Sequence, residues 1–217
     1  MTARYTLVIG TKDWSSWSLR PYMALRHIGV PFEEDLIRLR RDSTTEEVQK
    51  RSPSGRVPLL KIEENGKAWS VWDSLAICET LAERHPDANL WPDDPRVRAE
   101  ARAVSAEMHS GFPDVRDQLP MDFARKLPTP DLRDNTKAQI ARIQKIWTDA
   151  LDAHGGPFLF GGFSIADCMY APICSRFRTY GIETPKAAPA YVERMFALPA
   201  MVDWSNAAKR EVEEGLA

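Results

Sequence analysis

Asp13-Trp14-Ser15-Ser16-Trp17-Ser18-Leu19-Arg20-Pro21 is the stretch that decides how this chain folds. It follows an apolar run, residues 5–10, that predicts a buried strand, and it precedes a helical pattern that begins at Met23. A helix N-terminus carries unpaired N–H groups and the positive end of the helix dipole, so the loop is predicted to stabilise an anion. The alternative is that its three serines only cap the helix.

Strand and helix patterns continue to alternate outward from this stretch, through the first 85 residues. Asn65-Gly66 predicts a tight hairpin turn between the last two strands. The predicted order is βαβαββα, with strands at 5–10, 32–39, 57–62 and 68–71 and with later helices that begin near Ser43 or Thr44 and at Asp73.

A stretch rich in proline and aspartate, residues 86–95, predicts a linker between an α/β domain, residues 1–85, and an all-α domain, residues 96–217. Ser164 to Asp167 has the pattern of a capping box at the start of a buried helix. The other helices predicted in this half lie at 97–119, with a kink near 111–113, and at 132–153, 189–197 and 199–209.

Composition excludes several classes of function. The 217 residues carry a formal net charge of −2 with no basic face, so we expect no nucleic-acid partner. No apolar run approaches the roughly 20 residues of a membrane span, and no signal-peptide core follows the first residues, so we expect a cytoplasmic protein without a membrane partner. No metal site is predicted. The three cysteines lack CxxC spacing and are expected to be buried, reduced thiols: Cys78, Cys168 and Cys174.

Two further features bear on ligand binding. Pro58 cannot donate to a strand ladder, and a cis Val57–Pro58 bond would offer the Val57 backbone to an extended peptide. Asp73 and Ser74 open a helix, where a carboxylate and a hydroxyl could bind the two charged ends of an amino acid. The alternative is an ordinary helix cap.

These three features, in this order and followed by an all-helical half, make the chain resemble the cytosolic glutathione transferases over essentially its full length. The serine loop is most similar to the serine-type zeta and tau classes. The resemblance implies a thioredoxin-like N-terminal domain, glutathione as co-substrate and a homodimer. It places the thiol-contacting hydroxyl at Ser15, with Ser16 beside it, and the glutathione-binding residues at Arg56, Val57, Pro58, Asp73 and Ser74.

The chain departs from the family pattern at two positions. Asp73 stands where Glu or Gln is usual, and Trp17 stands where the zeta motif has Cys. The resemblance places the electrophile between the first loop and the first helix after the linker. The candidates there, which could instead be core residues, are Trp14, Trp17, Met108, Phe112 and Arg116.

The leading hypothesis is a transferase that conjugates the glutathione thiolate to a small hydrophobic electrophile. Lowering the pKa of a thiol by two units requires about 2.7 kcal/mol. A hydroxyl hydrogen bond of about 1.5–3 kcal/mol and a helix N-terminus of about 0.3–1 kcal/mol suffice, so no general base is required. The histidines, His27, His85, His109 and His154, are accordingly expected to be surface or satisfied residues. The alternatives are a zeta-like cis–trans isomerase and a non-catalytic glutathione- or ligand-binding protein.

Overall fold

The computed structural model describes residues 3–184 and 188–217, so residues 1 and 2 of the predicted N-terminal domain lie outside the described part. The N-terminal part contains a four-stranded mixed sheet in the order β2-β1-β3-β4. β1 pairs parallel with β2 and antiparallel with β3, which pairs antiparallel with β4. The elements are β1 (Arg4–Gly10), α1 (Ser16–Ile28), β2 (Phe32–Ile37), α2 (Thr44–Arg51), β3 (Leu59–Glu64), β4 (Lys67–Trp72) and α3 (Ser74–Arg84).

β1 is buried on both faces because helices cover both sides of the sheet. Leu7 and Ile9 face the main core, to which α1 and α3 contribute. Val8 points the other way, into a small cluster with Val48 of α2. The predicted βαβαββα order is confirmed.

The second part is helical. A short 3₁₀ turn (Pro86–Ala88) is followed by α4 (Pro95–Ser110), α5 (Pro113–Gln118), α6 (Asp134–His154), α7 (Ile165–Tyr180), α8 (Ala188–Ala197) and α9 (Pro199–Glu213). The Ser164 N–H donates to Asp167 Oδ2 at 2.8 Å, which completes the predicted capping box at the start of α7. All three cysteines are free and buried, as predicted. Across the described ranges, no helix is both long and apolar enough to cross a bilayer.

The interruption predicted near residues 111–113 is present, but it separates two helices, and the prediction of a single kinked helix over 97–119 is wrong. The helix ends at Ser110 and a new one begins at Pro113. Gly111 is extended, and a Cβ there would lie 2.6 Å from the Glu107 carbonyl oxygen. Phe112 has a left-handed backbone, with φ 61°, and Pro113 has no N–H to continue the ladder. The chain therefore breaks instead of bending, and the Phe112 side chain enters the core.

The helical part holds the loop that connects β1 to α1. The Phe123 N–H donates to the Asp13 carbonyl oxygen at 3.0 Å, and the Ala124 N–H donates to Asp13 Oδ1 at 2.7 Å. From α9, Glu211 Oε2 accepts from the Asp13 N–H at 3.0 Å, and Trp204 Nε1 donates to the Lys12 carbonyl oxygen at 2.9 Å. These bonds fix the backbone immediately before the serines.

Candidate active site

Ser15 occupies the N-cap position of α1 without capping it by its side chain. Its hydroxyl instead donates to Ser18 Oγ at 2.7 Å, and Ser18 Oγ also accepts from the Gly10 N–H at 3.2 Å. The alternative prediction, that the serines only cap the helix, is therefore wrong for Ser15. The first-turn N–H groups keep their capacity to bind an anion.

Three buried or half-buried arginines surround the start of α1. The guanidinium carbons of Arg20 and Arg116 lie 4.3 Å and 4.8 Å from the centre of the Trp17 ring. Arg176 reaches across from α7, and its Nη2 donates to Ser16 Oγ at 3.3 Å. In the described part of the chain, none of the three arginines forms a salt bridge with a carboxylate.

Burial first, and then the charges of the other two arginines, lowers the pKa of Arg20 to about 9. Burial and the nearby Arg116 lower the pKa of Arg176 to about 10, and burial lowers that of Arg116 as well. All three guanidinium groups still carry their charge at neutral pH. Nε and Nη2 of Arg20 and Nε of Arg176 have no hydrogen-bond partner among the described residues. Buried positive charge with unpartnered donors is costly, and an anion would relieve that cost.

A cleft of about 540 Å³ opens beside this cluster. The Val57–Pro58 peptide bond at its edge is cis, as the resemblance implied. Because β3 begins only at Leu59, the Val57 N–H and C=O stay outside the strand ladder. The residues that line the cleft are Trp17, Ser54, Arg56, Val57, Pro58, Trp72, Asp73, Ser74 and His109.

Asp73 is both a helix cap and a wall of the cleft. Its Oδ1 accepts from the N–H groups of Leu75 and Ala76, at 2.9 Å and 3.2 Å. Its backbone has φ 75°, a conformation that costs a non-glycine residue about 1–3 kcal/mol and that occurs preferentially at functional sites. The neighbouring Ser74 hydroxyl accepts from Arg20 Nη1 at 3.4 Å. The predicted capping role is therefore present, and it leaves Asp73 Oδ2 directed elsewhere.

That second oxygen lies 3.1 Å from His109 Nε2 on α4. The imidazole packs edge-on against Trp17, with ring centres 5.3 Å apart, and its Nδ1 is buried without a partner among the described residues. Burial lowers the pKa of His109, although Asp73 acts in the opposite direction. The sequence predicts a surface or satisfied histidine at this position, whereas the structure places His109 in the lining of the cleft.

The structure brings together only part of the predicted electrophile site. Trp17 and Arg116 are in contact. Met108 and Phe112 are buried in the core, and the Met108 carbonyl oxygen accepts from Arg116 Nη2. The Trp14 ring packs instead against the Arg40 guanidinium, 4.1 Å away.

Sequence reasoning assigned no role to Arg20 or Arg176. The available signal is Arg176 itself, the one charged side chain in the mainly apolar helical run of residues 168–177, since a buried charge needs a partner.

Taken together, the sheet topology, the serine loop before α1 and the cis proline before β3 define a thioredoxin-like protein with an added helical domain. Residues 14–84 match the family model "Glutathione S-transferase, N-terminal domain", and residues 130–209 match "Glutathione S-transferase, C-terminal domain". The chain belongs to the glutathione S-transferase family.

Among its relatives is a probable maleylacetoacetate isomerase from Caenorhabditis elegans, 35% identical over 73% of this chain and 72% of that protein. A maleylacetoacetate isomerase from Anaeromyxobacter dehalogenans, solved with glutathione in its active site, is 27% identical with a TM-score of 0.68 and 97% of both chains covered. A glutathione transferase homologue from a Burkholderia, also solved with glutathione, has a TM-score of 0.71 at 24% identity, with 95% and 99% of the two chains covered. The predicted fold class and family are confirmed.

Proposed function

We propose that this protein is a glutathione transferase in which Ser15 and the arginine cluster stabilise the glutathione thiolate. The observation that carries the proposal is the set of three positive guanidinium groups, without carboxylate partners among the described residues, at the start of α1. Arg116 and Arg176 donate to main-chain carbonyl oxygens, whereas Nε and Nη2 of Arg20 and Nε of Arg176 have no partner among the described residues and would be satisfied by an anion. A thiolate beside Ser15 would gain a hydroxyl donor, the helix N-terminus and this positive field.

The cleft has suitable groups for the rest of the tripeptide. In this proposal, the Val57 backbone pairs with the cysteinyl unit and Arg56 lies near the glycine carboxylate. Asp73 receives the γ-glutamyl ammonium, and Ser74 contacts the γ-glutamyl carboxylate. The volume of about 540 Å³ and the unpaired Val57 backbone support this arrangement.

The chemistry needs one proton loss and one new bond. Binding lowers the pKa of the thiol, whose proton leaves to water, and the thiolate sulfur then attacks the electrophilic carbon. A carbon–sulfur bond forms while a leaving group departs with its electron pair, or the adduct takes a proton from water. Trp17 lines the cleft with Arg116 packed over its ring, and in this proposal the electrophile approaches from that side.

A second candidate function is glutathione-dependent cis–trans isomerisation. The names of two relatives point to it, and the arginine cluster favours an electrophile that carries carboxylates. Here the thiolate adds to a carbon–carbon double bond, rotation occurs about the resulting single bond, and elimination returns the thiolate. Glutathione is not consumed.

A paired assay tests these functions. Activity is measured with glutathione and either a neutral aryl halide or a maleylacetoacetate-like dicarboxylate, and glutathione consumption is followed. Conjugation consumes one glutathione per product, whereas isomerisation consumes none. Binding of glutathione without either activity would favour the non-catalytic carrier, and no binding at millimolar concentration would refute the proposal.

The proposal includes a homodimer in the cytoplasm, on the strength of the family resemblance. The edge strand β4 exposes Trp69, at 40%, which is compatible with a partner beside that strand. A monomer in sedimentation experiments would refute this part of the proposal.

A further inference from the structure

His109 is the group in the cleft that the proposed chemistry does not use. It does not lie on the serine loop, and its Nε2 faces Asp73 Oδ2 at 3.1 Å. The Asp73 carboxylate is otherwise committed, since Oδ1 already accepts two helix N–H groups. Any cation that binds Asp73 from the cleft must therefore approach Oδ2, where His109 already lies.

The surroundings of His109 favour its neutral form. The charged groups that face it are Asp73 at the start of α3, Arg20 on α1 and Arg116 on α5. The two arginines and burial of the ring oppose a proton more than Asp73 attracts one. With Nε2 beside a carboxylate, the neutral ring carries its proton on Nε2. The buried Nδ1 is then an acceptor that has no partner in the part of the chain that the structure describes.

We propose that His109 is the positioning residue that sets Asp73 as the receptor for the γ-glutamyl ammonium of glutathione. This inference rests on the proposed function. With a neutral imidazole, the Asp73–His109 pair carries one negative charge and attracts an ammonium group. With a protonated imidazole, the pair is neutral and a second cation stands beside the ligand. Glutathione binding therefore weakens as His109 takes up a proton.

The effect is large enough to measure. A cation about 6 Å from the ligand ammonium, in a cleft that is partly open to water, opposes binding by roughly tenfold. The change occurs below the ordinary histidine pKa of about 6.5, because the pKa of His109 is lowered.

The test measures binding of S-methylglutathione by calorimetry between about pH 8 and about pH 5. This ligand has no ionisable thiol, so thiolate formation does not contribute. Between about pH 7 and about pH 5, where the change is expected, its amine and carboxylates keep their charges. His109→Gln keeps a donor near Asp73 but does not titrate. His154→Gln is the matched control, since His154 on α6 also faces a carboxylate, with Glu100 Oε2 at 3.2 Å, and lies outside the cleft.

We expect the dissociation constant to rise about tenfold towards low pH in the wild-type protein and in His154→Gln, and to stay constant in His109→Gln. A flat wild-type profile, or an equal rise in His109→Gln, would overturn the role of His109. No binding at about pH 8 would instead refute the glutathione site itself, so the two failures are distinguishable.

A second measurement does not depend on the variant. Histidine-resolved NMR titration of the wild-type protein reports the pKa of His109 with and without S-methylglutathione. Binding and protonation oppose each other. If protonation of His109 weakens binding tenfold, then binding of the ligand must lower the pKa of His109 by about one unit. An unchanged or raised pKa would contradict the inference.

Discussion

Replacing Ser15 by alanine isolates the hydroxyl from the other anion-stabilising groups. The Ser15 side chain makes no capping bond to α1, so its removal leaves the helix start intact. Arg20, Arg116 and the first-turn N–H groups keep their positions. The substitution should therefore change the thiolate and very little else.

The structure sets the size of the effect. Without a thiolate, the Ser15 hydroxyl already donates to Ser18 Oγ at 2.7 Å. Turning it to the thiolate exchanges a neutral hydrogen bond of about 0.5–1.5 kcal/mol for a charged one of about 1.5–3 kcal/mol. The net gain of about 1–1.5 kcal/mol corresponds to about one pKa unit. In Ser15→Ala the pKa of the bound thiol should rise by that amount.

The assay is ultraviolet titration of the thiolate in the enzyme–glutathione complex. Ser110→Ala is the control, because this exposed hydroxyl on α4 donates to the Ala106 carbonyl oxygen of its own helix and does not line the cleft. Affinity for S-methylglutathione should be unchanged in Ser15→Ala, since no thiolate forms. An unchanged thiol pKa would refute the role of Ser15 and direct attention to Ser16 and Ser18.

Three further predictions concern buried groups. Arg20→Met removes a buried charge and should raise the unfolding midpoint of the ligand-free protein. The same substitution should abolish the rise in midpoint that glutathione causes. A lowered midpoint of the ligand-free variant would contradict this expectation. Arg176→Met should raise the KM for a carboxylate-bearing electrophile at least about tenfold and leave the KM for a neutral electrophile nearly unchanged. If steady-state kinetics show equal changes for both electrophiles, Arg176 does not form a carboxylate subsite. Trp147→Ala should lower the free energy of unfolding in urea by about 3–5 kcal/mol, because its indole is fully buried between α6, α7 and α8; a loss under about 1 kcal/mol would contradict this placement.

The fold was predictable because its signals are local. The apolar run before Ser15, the Asn65–Gly66 turn and the Ser164–Asp167 capping box each act within a few residues, and each is present in the structure. The break at Gly111 was not predictable in detail, since a kinked helix and two helices share one apolar pattern. The choice depends on Phe112 entering the core in a left-handed conformation.

The candidate site was harder to predict because half of its groups come from distant sequence. Ser15, Val57 and Asp73 lie at element boundaries that local patterns mark. Arg176 lies in the middle of α7 and His109 in the last turn of α4, and only tertiary packing brings Arg176 to Ser16 and His109 to the cleft. The sequence pattern predicts Met108 in the electrophile site, but Met108, adjacent to His109 on the same helix, is buried in the core.

The bonds from α9 to Lys12 and Asp13 have a consequence for how this chain can be taken apart. The segment that directly precedes Ser15 is held by residues almost 200 positions later in the chain. A fragment that contains only the N-terminal half would therefore lack the hydrogen bonds that hold the loop between β1 and α1. A chimera that combines halves of two related proteins should therefore lose the correct conformation of this loop, unless α9 and the loop come from the same protein.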